Sequence, residues 1–222
     1  MDIKENTVSA VNQMINSSEV SFLGDSNAKT RILVLGNSIT RHGPCKDIGW
    51  ERDWGMAASA PEKDYVHRLY AKLTESGQDV YMRIRQASHW ETHFCDADIL
   101  QKYEEERAFG ADIVIFRLGD NAINAKEEDK QHFESAVETF IHYVSPKAKK
   151  VVYMTCFWSL PEVDQAIRKV AQKRNETCID GWLAYEDSYM ALGLFEHSGV
   201  AGHPGDKGME EIAERIFNAL KK

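Results

Sequence analysis

Residues 31–40 read RILVLGNSIT, an apolar, β-branched run that ends in a glycine, an asparagine and a serine. A run of this length and composition predicts a buried strand, and the residues after it predict a turn. Similar short runs recur along the chain between segments with helical spacing of their apolar residues. This alternation predicts parallel strands joined by helical crossovers. The predicted strands are Arg31–Leu35, Val80–Ile84, Asp112–Leu118, Lys150–Cys156 and, more weakly, Thr177–Ile179.

The segments between these runs predict helices that cover the sheet. Their apolar residues fall at i, i+3, i+4 and i+7, as one-faced helices require. Together the elements predict an α/β protein with three α/β/α layers and a flavodoxin-like, doubly wound, parallel five-stranded sheet. The predicted helices lie around Val66–Leu73 and Met209–Leu220, and at Asp96–Phe109, Lys130–Val144 and Pro161–Arg174, with Asp206 as the N-cap of the last one.

The length of 222 residues suits one domain of this class. We predict that residues 31–222 form that domain. Residues 1–30 are too few for a second domain, so we interpret them as an N-terminal cap segment with a short candidate helix near Val8–Ile15. The long aperiodic segment from Thr40 to Pro61 follows the first predicted strand, where loops of doubly wound sheets usually serve function.

The net charge of −8 disfavours nucleic-acid and anionic-membrane partners. The longest apolar runs are far shorter than the roughly 20 residues that a bilayer requires, and the N-terminus lacks a signal-peptide apolar region. We therefore expect a cytoplasmic protein. The four cysteines are widely spaced, which predicts free thiols.

Ser38 and Asn121 each follow a predicted strand and are expected to meet in one crevice. Flavodoxin-like strand order makes the first and third strands neighbours, about 4.8 Å apart. The Ser38 hydroxyl is a candidate nucleophile, although it is also a good helix cap. The Asn121 amide is a candidate donor to an oxyanion, although Gly119-Asp120-Asn121 also has the composition of a turn.

His203 lies just before the last predicted helix, which must pack beside the same two strands. A lone loop histidine is more often a surface residue, but this position lets it reach Ser38 as a general base. Neither a Gly-x-Ser-x-Gly elbow nor a nucleotide-binding glycine loop is present, since Thr40 occupies the second glycine position of such an elbow.

The three blocks, Gly36-Asn37-Ser38-Ile39, Gly119-Asp120-Asn121 and His203, resemble those of the SGNH hydrolases, also called the GDSL esterase/lipase family. The resemblance runs from about Arg31 to the C-terminus. It implies that Ser38 is the nucleophile, that His203 is the base, and that Ser38, Asn121 and Gly119 supply oxyanion donors. It also implies a three-layer fold and hydrolysis of small acyl esters, often acetyl groups on sugars, without a metal or organic cofactor.

Two positions depart from the family pattern. The family places an aspartate three residues before the histidine, where this chain has Val200. The acceptor for His203 is thus open among a backbone carbonyl, Glu196 and Glu91, and we favour the backbone carbonyl. The family also uses a glycine N–H after the second strand, where this chain reads RQASHWE over residues 85–91. Which backbone N–H replaces it is open.

Other residues of the crevice loops have weaker signals. His89, Glu91 and His93 would share one face of an extended segment and so allow a zinc site, but a polar loop lining the crevice explains them better. Trp54, Trp90 and Trp158 are candidate substrate-binding residues, because an aromatic face stacks on a sugar ring or lines an acyl pocket.

We therefore expect a serine esterase that acts on a small-molecule or carbohydrate ester, and acetyl groups on carbohydrates are the preferred substrates of this hypothesis. Within the same class, a longer-chain lipase or thioesterase is the alternative. From another class, a non-catalytic carbohydrate-binding protein of the same fold is the competing hypothesis. The sequence does not determine the oligomeric state.

Overall fold

The computed structural model describes residues 19–221, which fold around one six-stranded sheet with the strand order β1-β3-β2-β4-β5-β6. The candidate helix near residues 8–15 lies outside the described residues. β1 runs antiparallel to β3, and the other neighbouring pairs are parallel. The strands are β1 (Val20–Leu23), β2 (Thr30–Gly36), β3 (Val80–Gln86), β4 (Ile113–Arg117), β5 (Lys150–Met154) and β6 (Thr177–Ile179).

Eight α-helices lie within residues 19–221, and short 3-10 turns extend several of the connections. The longest, α8, closes the chain. The helices are α1 (Tyr65–Glu75), α2 (Ser88–His93), α3 (Glu104–Phe109), α4 (Glu127–Lys130), α5 (Phe133–Val144), α6 (Pro161–Lys173), α7 (Ser198–Ala201) and α8 (Asp206–Leu220).

The central strand β2 divides the core into two layers. Ile32, Leu33, Val34 and Leu35 are all fully buried, and alternate side chains point to opposite faces of a strand. Leu33 and Leu35 pack in the layer that includes α5 and α6, and Ile32 and Val34 pack in the layer that includes α1 and α8. An apolar run without polar alternation therefore marks a strand covered on both faces.

The parallel part of the sheet confirms the predicted three-layer, flavodoxin-like architecture, because β3-β2-β4-β5-β6 is the expected order. The sheet has one strand more than predicted. Residues Val20–Leu23 of the cap segment pair with β3 from Val20↔Arg85 to Leu23↔Met82. This edge strand is short and only half-buried, and Phe22 stacks on Tyr81 with ring centroids 5.5 Å apart. A strand with one covered face and four residues gives little periodic signal.

Three local predictions need correction. The predicted helix over 96–109 is a 3-10 turn at Ile99–Tyr103 followed by α3, and residues 88–93 are helical rather than extended. Asp206 is the first residue of α8 and not its N-cap, which is Gly205. The Asp206 carboxylate instead accepts hydrogen bonds from the backbone N–H and the hydroxyl of Ser59, at 2.9 and 2.7 Å.

None of the helices within residues 19–221 combines the length and the apolar character needed to cross a bilayer.

Candidate active site

Ser38 lies in the tight turn that follows β2. A side chain on Gly36 would occupy the place of the Thr40 hydroxyl, because a Cβ built there would lie 1.7 Å from Thr40 Oγ1. That hydroxyl is hydrogen-bonded to Tyr65 on α1, with 2.7 Å between the oxygens. Thr40, at the position of the second glycine of an elbow, thus packs against Gly36. The turn leaves Ser38 half-buried at the carboxyl end of the strand.

The structure brings Ser38 and His203 into direct contact. Ser38 Oγ lies 2.7 Å from His203 Nε2, and His203 Nδ1 lies 2.6 Å from the carbonyl oxygen of Gly199. A carbonyl oxygen only accepts hydrogen bonds, so Nδ1 must carry the ring proton. Nε2 is then free to accept the Ser38 proton. This is the geometry of a nucleophile paired with a general base.

The protonation state of His203 suits that role. Withdrawal of the ring from water lowers its pKa to about 4, against smaller opposing effects of the Gly199 carbonyl and Asp120. Burial disfavours the charged form of an imidazole. At neutral pH the ring is therefore neutral and able to accept a proton.

The Gly199 carbonyl occupies the place of the third triad member. Of the three alternatives left open by the sequence, it is the one in contact with His203. Glu196 is exposed and forms no hydrogen bond or ion pair with any residue in the range 19–221. Glu91 is fully buried on α2 and contacts a different part of the site.

Asn121 follows β4, whose last residue Arg117 pairs with Gly36 of β2. Its side-chain Nδ2 donates to Glu91 Oε2 at 2.6 Å, which uses one of the two amide protons. The second proton has no acceptor among the described residues. Asn121 and Ser38 both line the same cleft, as the strand order predicts.

Gly119 does not have the predicted role of oxyanion donor. Its backbone N–H donates to Glu91 Oε1 at 2.5 Å. The φ of +137° is one that residues with a side chain rarely adopt, and a Cβ would lie within about 3 Å of Val163 and Cys156. Gly119 therefore shapes the turn and holds Glu91, and its N–H is already engaged.

The backbone N–H of Ser38 has no acceptor within the part of the chain that the structure describes, so it remains a candidate donor. After β3, the N–H of Ala87 donates to the Gly36 carbonyl at 2.6 Å and is engaged. The next backbone N–H groups belong to Ser88 and His89, at the start of α2. Both residues line the cleft.

Beneath Ser38 and Asn121 lies a buried polar network. Asn37 Nδ2 donates to Glu91 Oε1 and to Asp120 Oδ2, at 3.1 and 2.9 Å, and Asn37 Oδ1 accepts from Arg117 at 2.9 Å. Arg117 also forms an ion pair with Asp120 at 3.0 Å. Burial, with the nearby charge of Asp120, raises the pKa of Glu91 to about 7. Sequence analysis missed this network, although Arg117 in an otherwise apolar strand, three residues before Asp120, was a usable signal.

The cleft above the site has a volume of about 490 Å³. Most of its lining residues carry hydrogen-bonding side chains, and three carry apolar ones. The polar lining residues are Ser38, His42, Gln86, Ser88, His89, Thr92, Asn121, Asn124, His197 and His203, and the others are Ile48, Met56, Gly199 and Val200.

The three tryptophans predicted to bind substrate do not line this cleft. Trp90 is 1% exposed and stacks on Phe140 with ring centroids 4.6 Å apart, so its predicted role is wrong. Trp54 is half-buried, and its Nε1 donates to the Ala58 carbonyl at 2.9 Å. Trp158 packs edge-on against His203, with ring centroids 5.2 Å apart, and so contacts the base rather than the cleft.

The zinc hypothesis for residues 89–93 assumed an extended segment, whereas these residues are helical. The rings of His89 and His93 stack with centroids 4.1 Å apart, while Glu91 points into the buried network. Across residues 19–221, no three His, Cys, Asp or Glu side chains are grouped so as to hold a metal ion.

Solved structures with the same fold include several hydrolases. An acetylxylan esterase from Geobacillus stearothermophilus is similar to this chain with a TM-score of 0.59 at 15% identity, over 90% of this chain and 96% of that one. A psychrotrophic esterase from Pseudoalteromonas gives a TM-score of 0.55 at 12% identity, over 87% and 97%. The chain has the SGNH hydrolase fold.

A family two carbohydrate esterase from Cellvibrio japonicus shares the SGNH fold with this chain, with a TM-score of 0.55 at 14% identity, over 87% of this chain and 61% of that one. No protein-family model and no curated protein sequence matches the chain. At these identities the likeness lies in the fold, so the arrangement of the site rests on the contacts described above.

Proposed function

We propose that this chain is a serine esterase that hydrolyses small acyl esters, with acetyl groups on carbohydrates as its substrates. The observation that carries the proposal is the contact of Ser38 Oγ with His203 Nε2 at 2.7 Å, with the other ring nitrogen held by the Gly199 carbonyl. The esterases that share the fold add support by analogy.

In the proposed reaction, Ser38 Oγ bonds to the ester carbonyl carbon while His203 Nε2 takes the hydroxyl proton. The carbonyl electrons move to the oxygen, and the free N–H of the Asn121 amide and the Ser38 backbone N–H stabilise this oxyanion. Collapse of the intermediate breaks the bond to the alcohol, which leaves with the proton from His203. Water then adds to the acyl-Ser38 carbonyl, again with His203 as base, and the carboxylic acid departs.

The cleft supports a polar alcohol and a small acyl group. Its hydroxyl, amide and imidazole groups are suited to hydrogen bonds with a polyhydroxylated substrate. The apolar side chains of Ile48, Met56 and Val200 provide a surface against which the methyl of an acetyl group can pack. The acetylxylan esterase and the carbohydrate esterase of the same fold favour the same substrate class.

A fluorophosphonate probe tests the nucleophile directly. We expect one covalent adduct by intact-mass analysis, and none in Ser38→Ala. The related Pseudoalteromonas esterase was solved inhibited by monoethylphosphonate, which supports this choice of probe. Failure to label, with measurable sugar binding, would instead support a carbohydrate-binding protein of the same fold.

The substrate class is tested separately, by acetate release from a panel of acetylated sugars and by a series of p-nitrophenyl esters of increasing chain length. We expect kcat/KM to be highest for acetate and to fall with chain length. A maximum at long chains would support a lipase or thioesterase and overturn the assignment to acetyl groups.

A further inference from the structure

Glu91 is a fully buried carboxylate that lies beside the candidate oxyanion donor and that the proposed reaction does not use. Four hydrogen bonds reach it from the described residues. They come from Asn121 Nδ2 at 2.6 Å, Gly119 N at 2.5 Å, Asn37 Nδ2 at 3.1 Å and Asn121 N at 3.4 Å. Glu91 is not in contact with the Ser38–His203 pair.

We propose that Glu91 is a positioning residue that fixes the Asn121 side-chain amide so that its second N–H faces the oxyanion. This inference rests on the proposed function, because it assigns a role within the same reaction. It also replaces the hypothesis that Glu91 orients His203.

The chemistry of the contact sets the orientation of the amide. The two ends of an asparagine amide have nearly the same shape, but only its nitrogen donates hydrogen bonds. An ionised carboxylate only accepts, so Glu91 binds the nitrogen end of Asn121 and excludes the flipped amide. Without that carboxylate, the flipped amide would present its oxygen to the developing negative charge. A donor fixed before the reaction stabilises an oxyanion more than one that must reorient.

Glu91 is itself held from several elements. Asn37, in the turn after β2, links it to the ion pair between Arg117, the last residue of β4, and Asp120. These two are the charged groups that share the network. The Asn121 backbone N–H and its side chain both donate to Glu91, which fixes the main chain and the amide together.

Glu91→Gln removes this function without changing the size of the side chain. All four of its contacts are with donors, so the new amide nitrogen must face at least one of them. The matched control is Glu106→Gln, because Glu106 on α3 is also buried, at 1% exposure, but pairs with Arg83 of β3 at 2.7 Å. Both variants lose one buried carboxylate, and only one touches Asn121.

The test is the steady-state hydrolysis of p-nitrophenyl acetate by the whole chain. We expect Glu91→Gln to lower kcat by about 10- to 10²-fold with KM little changed, a smaller effect than deletion of an oxyanion donor. Glu106→Gln should keep kcat within about twofold of wild type. In an Asn121→Ala background, Glu91→Gln should lower kcat no further, because groups that act as a unit are not additive.

Two results would overturn the proposal. One is an equal kcat in Glu91→Gln and Glu106→Gln. The other is that Glu91→Gln lowers kcat by the same factor in the Asn121→Ala background as it does in wild type. If Glu91→Gln does not fold, Glu91→Asp takes its place, since it keeps the charge but withdraws it by one methylene. The same fall in kcat is then expected, and an unchanged kcat counts against the role.

A measurement that needs no turnover separates this inference from the proposed function. The side-chain NH₂ signals of Asn121, assigned by their loss in Asn121→Ala, should show one proton shifted downfield, and that shift should disappear in Glu91→Gln. Ser38→Ala, measured in parallel, shows whether turnover depends on Ser38. An unshifted amide would refute the positioning role even in an active esterase, and a shifted one would support it even if Ser38-dependent turnover were absent.

Discussion

The two halves of the site hold their groups by different means. On the base side, His203 is fixed by main-chain contacts: its Nδ1 donates to the Gly199 carbonyl, its own carbonyl accepts from Ala191 N at 2.9 Å, and Met190 and Pro204 form a β-bridge. On the oxyanion side, Asn121 is fixed by the buried side chain of Glu91, which Asn37 in turn links to Asp120. Replacing the side chains around Asn121 should therefore disturb its position, whereas replacing the side chains around His203 should leave its main-chain contacts intact.

The two sides also differ in the direction in which burial shifts the pKa of their titratable groups. Burial lowers the pKa of His203 to about 4, which keeps the base neutral without a carboxylate partner. Burial and the charge of Asp120 raise the pKa of Glu91 to about 7, which brings its titration close to neutral pH. The base side should thus be insensitive to pH around neutrality, and the oxyanion side should respond to it.

The largest effects on kcat are expected at Ser38 and His203, the pair that carries out the proposed reaction. Ser38→Ala and His203→Ala should each lower kcat for p-nitrophenyl acetate by at least about 10³-fold, because each removes a group that forms or breaks a bond. Thermal unfolding should remain cooperative in both variants. A Ser38→Ala enzyme that retains more than about a tenth of the wild-type rate would exclude Ser38 as the nucleophile.

Next in size is the effect expected at Asn121, the proposed oxyanion donor. Asn121→Ala should lower kcat by about 10²–10³-fold with KM little changed, since the donor acts on charge that appears only in the transition state. Asn121→Asp should be at least as damaging, because it sets a carboxylate against Glu91 and the oxyanion together. Near-normal turnover by the Asp variant at neutral pH would contradict the assignment.

A smaller effect is expected in the pH profile, which distinguishes the two sides directly. In wild type, kcat/KM should fall as pH decreases through about 7, because protonated Glu91 no longer accepts from all of its donors. In Glu91→Gln this step should disappear, leaving only a fall toward the pKa of His203, about 4. Identical profiles in the two enzymes would mean that Glu91 does not titrate in the working range.

The same shifts act on stability with opposite signs. Folding raises the pKa of Glu91 above its ordinary 4.5, so its contribution to the free energy of unfolding is largest below pH 4.5 and is lost as pH rises through about 7. Folding lowers the pKa of His203 from 6.5, so its contribution is present above pH 6.5 and is lost as pH falls through about 4. Chemical denaturation from pH 4 to 8 should show that Glu91→Gln removes the loss of stability between about pH 5 and 7 and spares the acid-side loss.

The smallest effect is expected at Glu196, on the base side. Glu196→Gln should leave kcat within about twofold of wild type, because the exposed carboxylate does not reach His203 and the Gly199 carbonyl survives any side-chain change. A fall of about a thousandfold would identify Glu196 as the third member of a triad and refute the backbone acceptor.

The sequence predicted what depends on local pattern. Uninterrupted apolar runs such as residues 32–35 located the parallel strands, and strand ends located Ser38 and Asn121 at one edge. It missed β1, whose four residues, three half-buried and one exposed, have almost no periodicity, and it placed Trp90 at the substrate although that ring fills the core. The hydrogen-bond partners of Glu91 were out of reach, because they depend on contacts between residues up to 54 positions apart. For His203 the favoured acceptor, a backbone carbonyl, is the one that the structure has, although the sequence did not identify it as that of Gly199.

The Gly199 carbonyl also matters for how such a site is inherited. An aspartate that orients a histidine is lost by a single nucleotide change, for example to asparagine, whereas a main-chain oxygen is encoded by no codon. Mutation can remove it only by moving the backbone of α7, through a proline, an insertion or a deletion within Ser198–Ala201. We expect most substitutions in a saturation library at Ser198 to retain activity, and insertions or deletions in the same segment to abolish it. Genetic drift should therefore damage this half of the site through changes in segment length rather than through amino-acid substitutions.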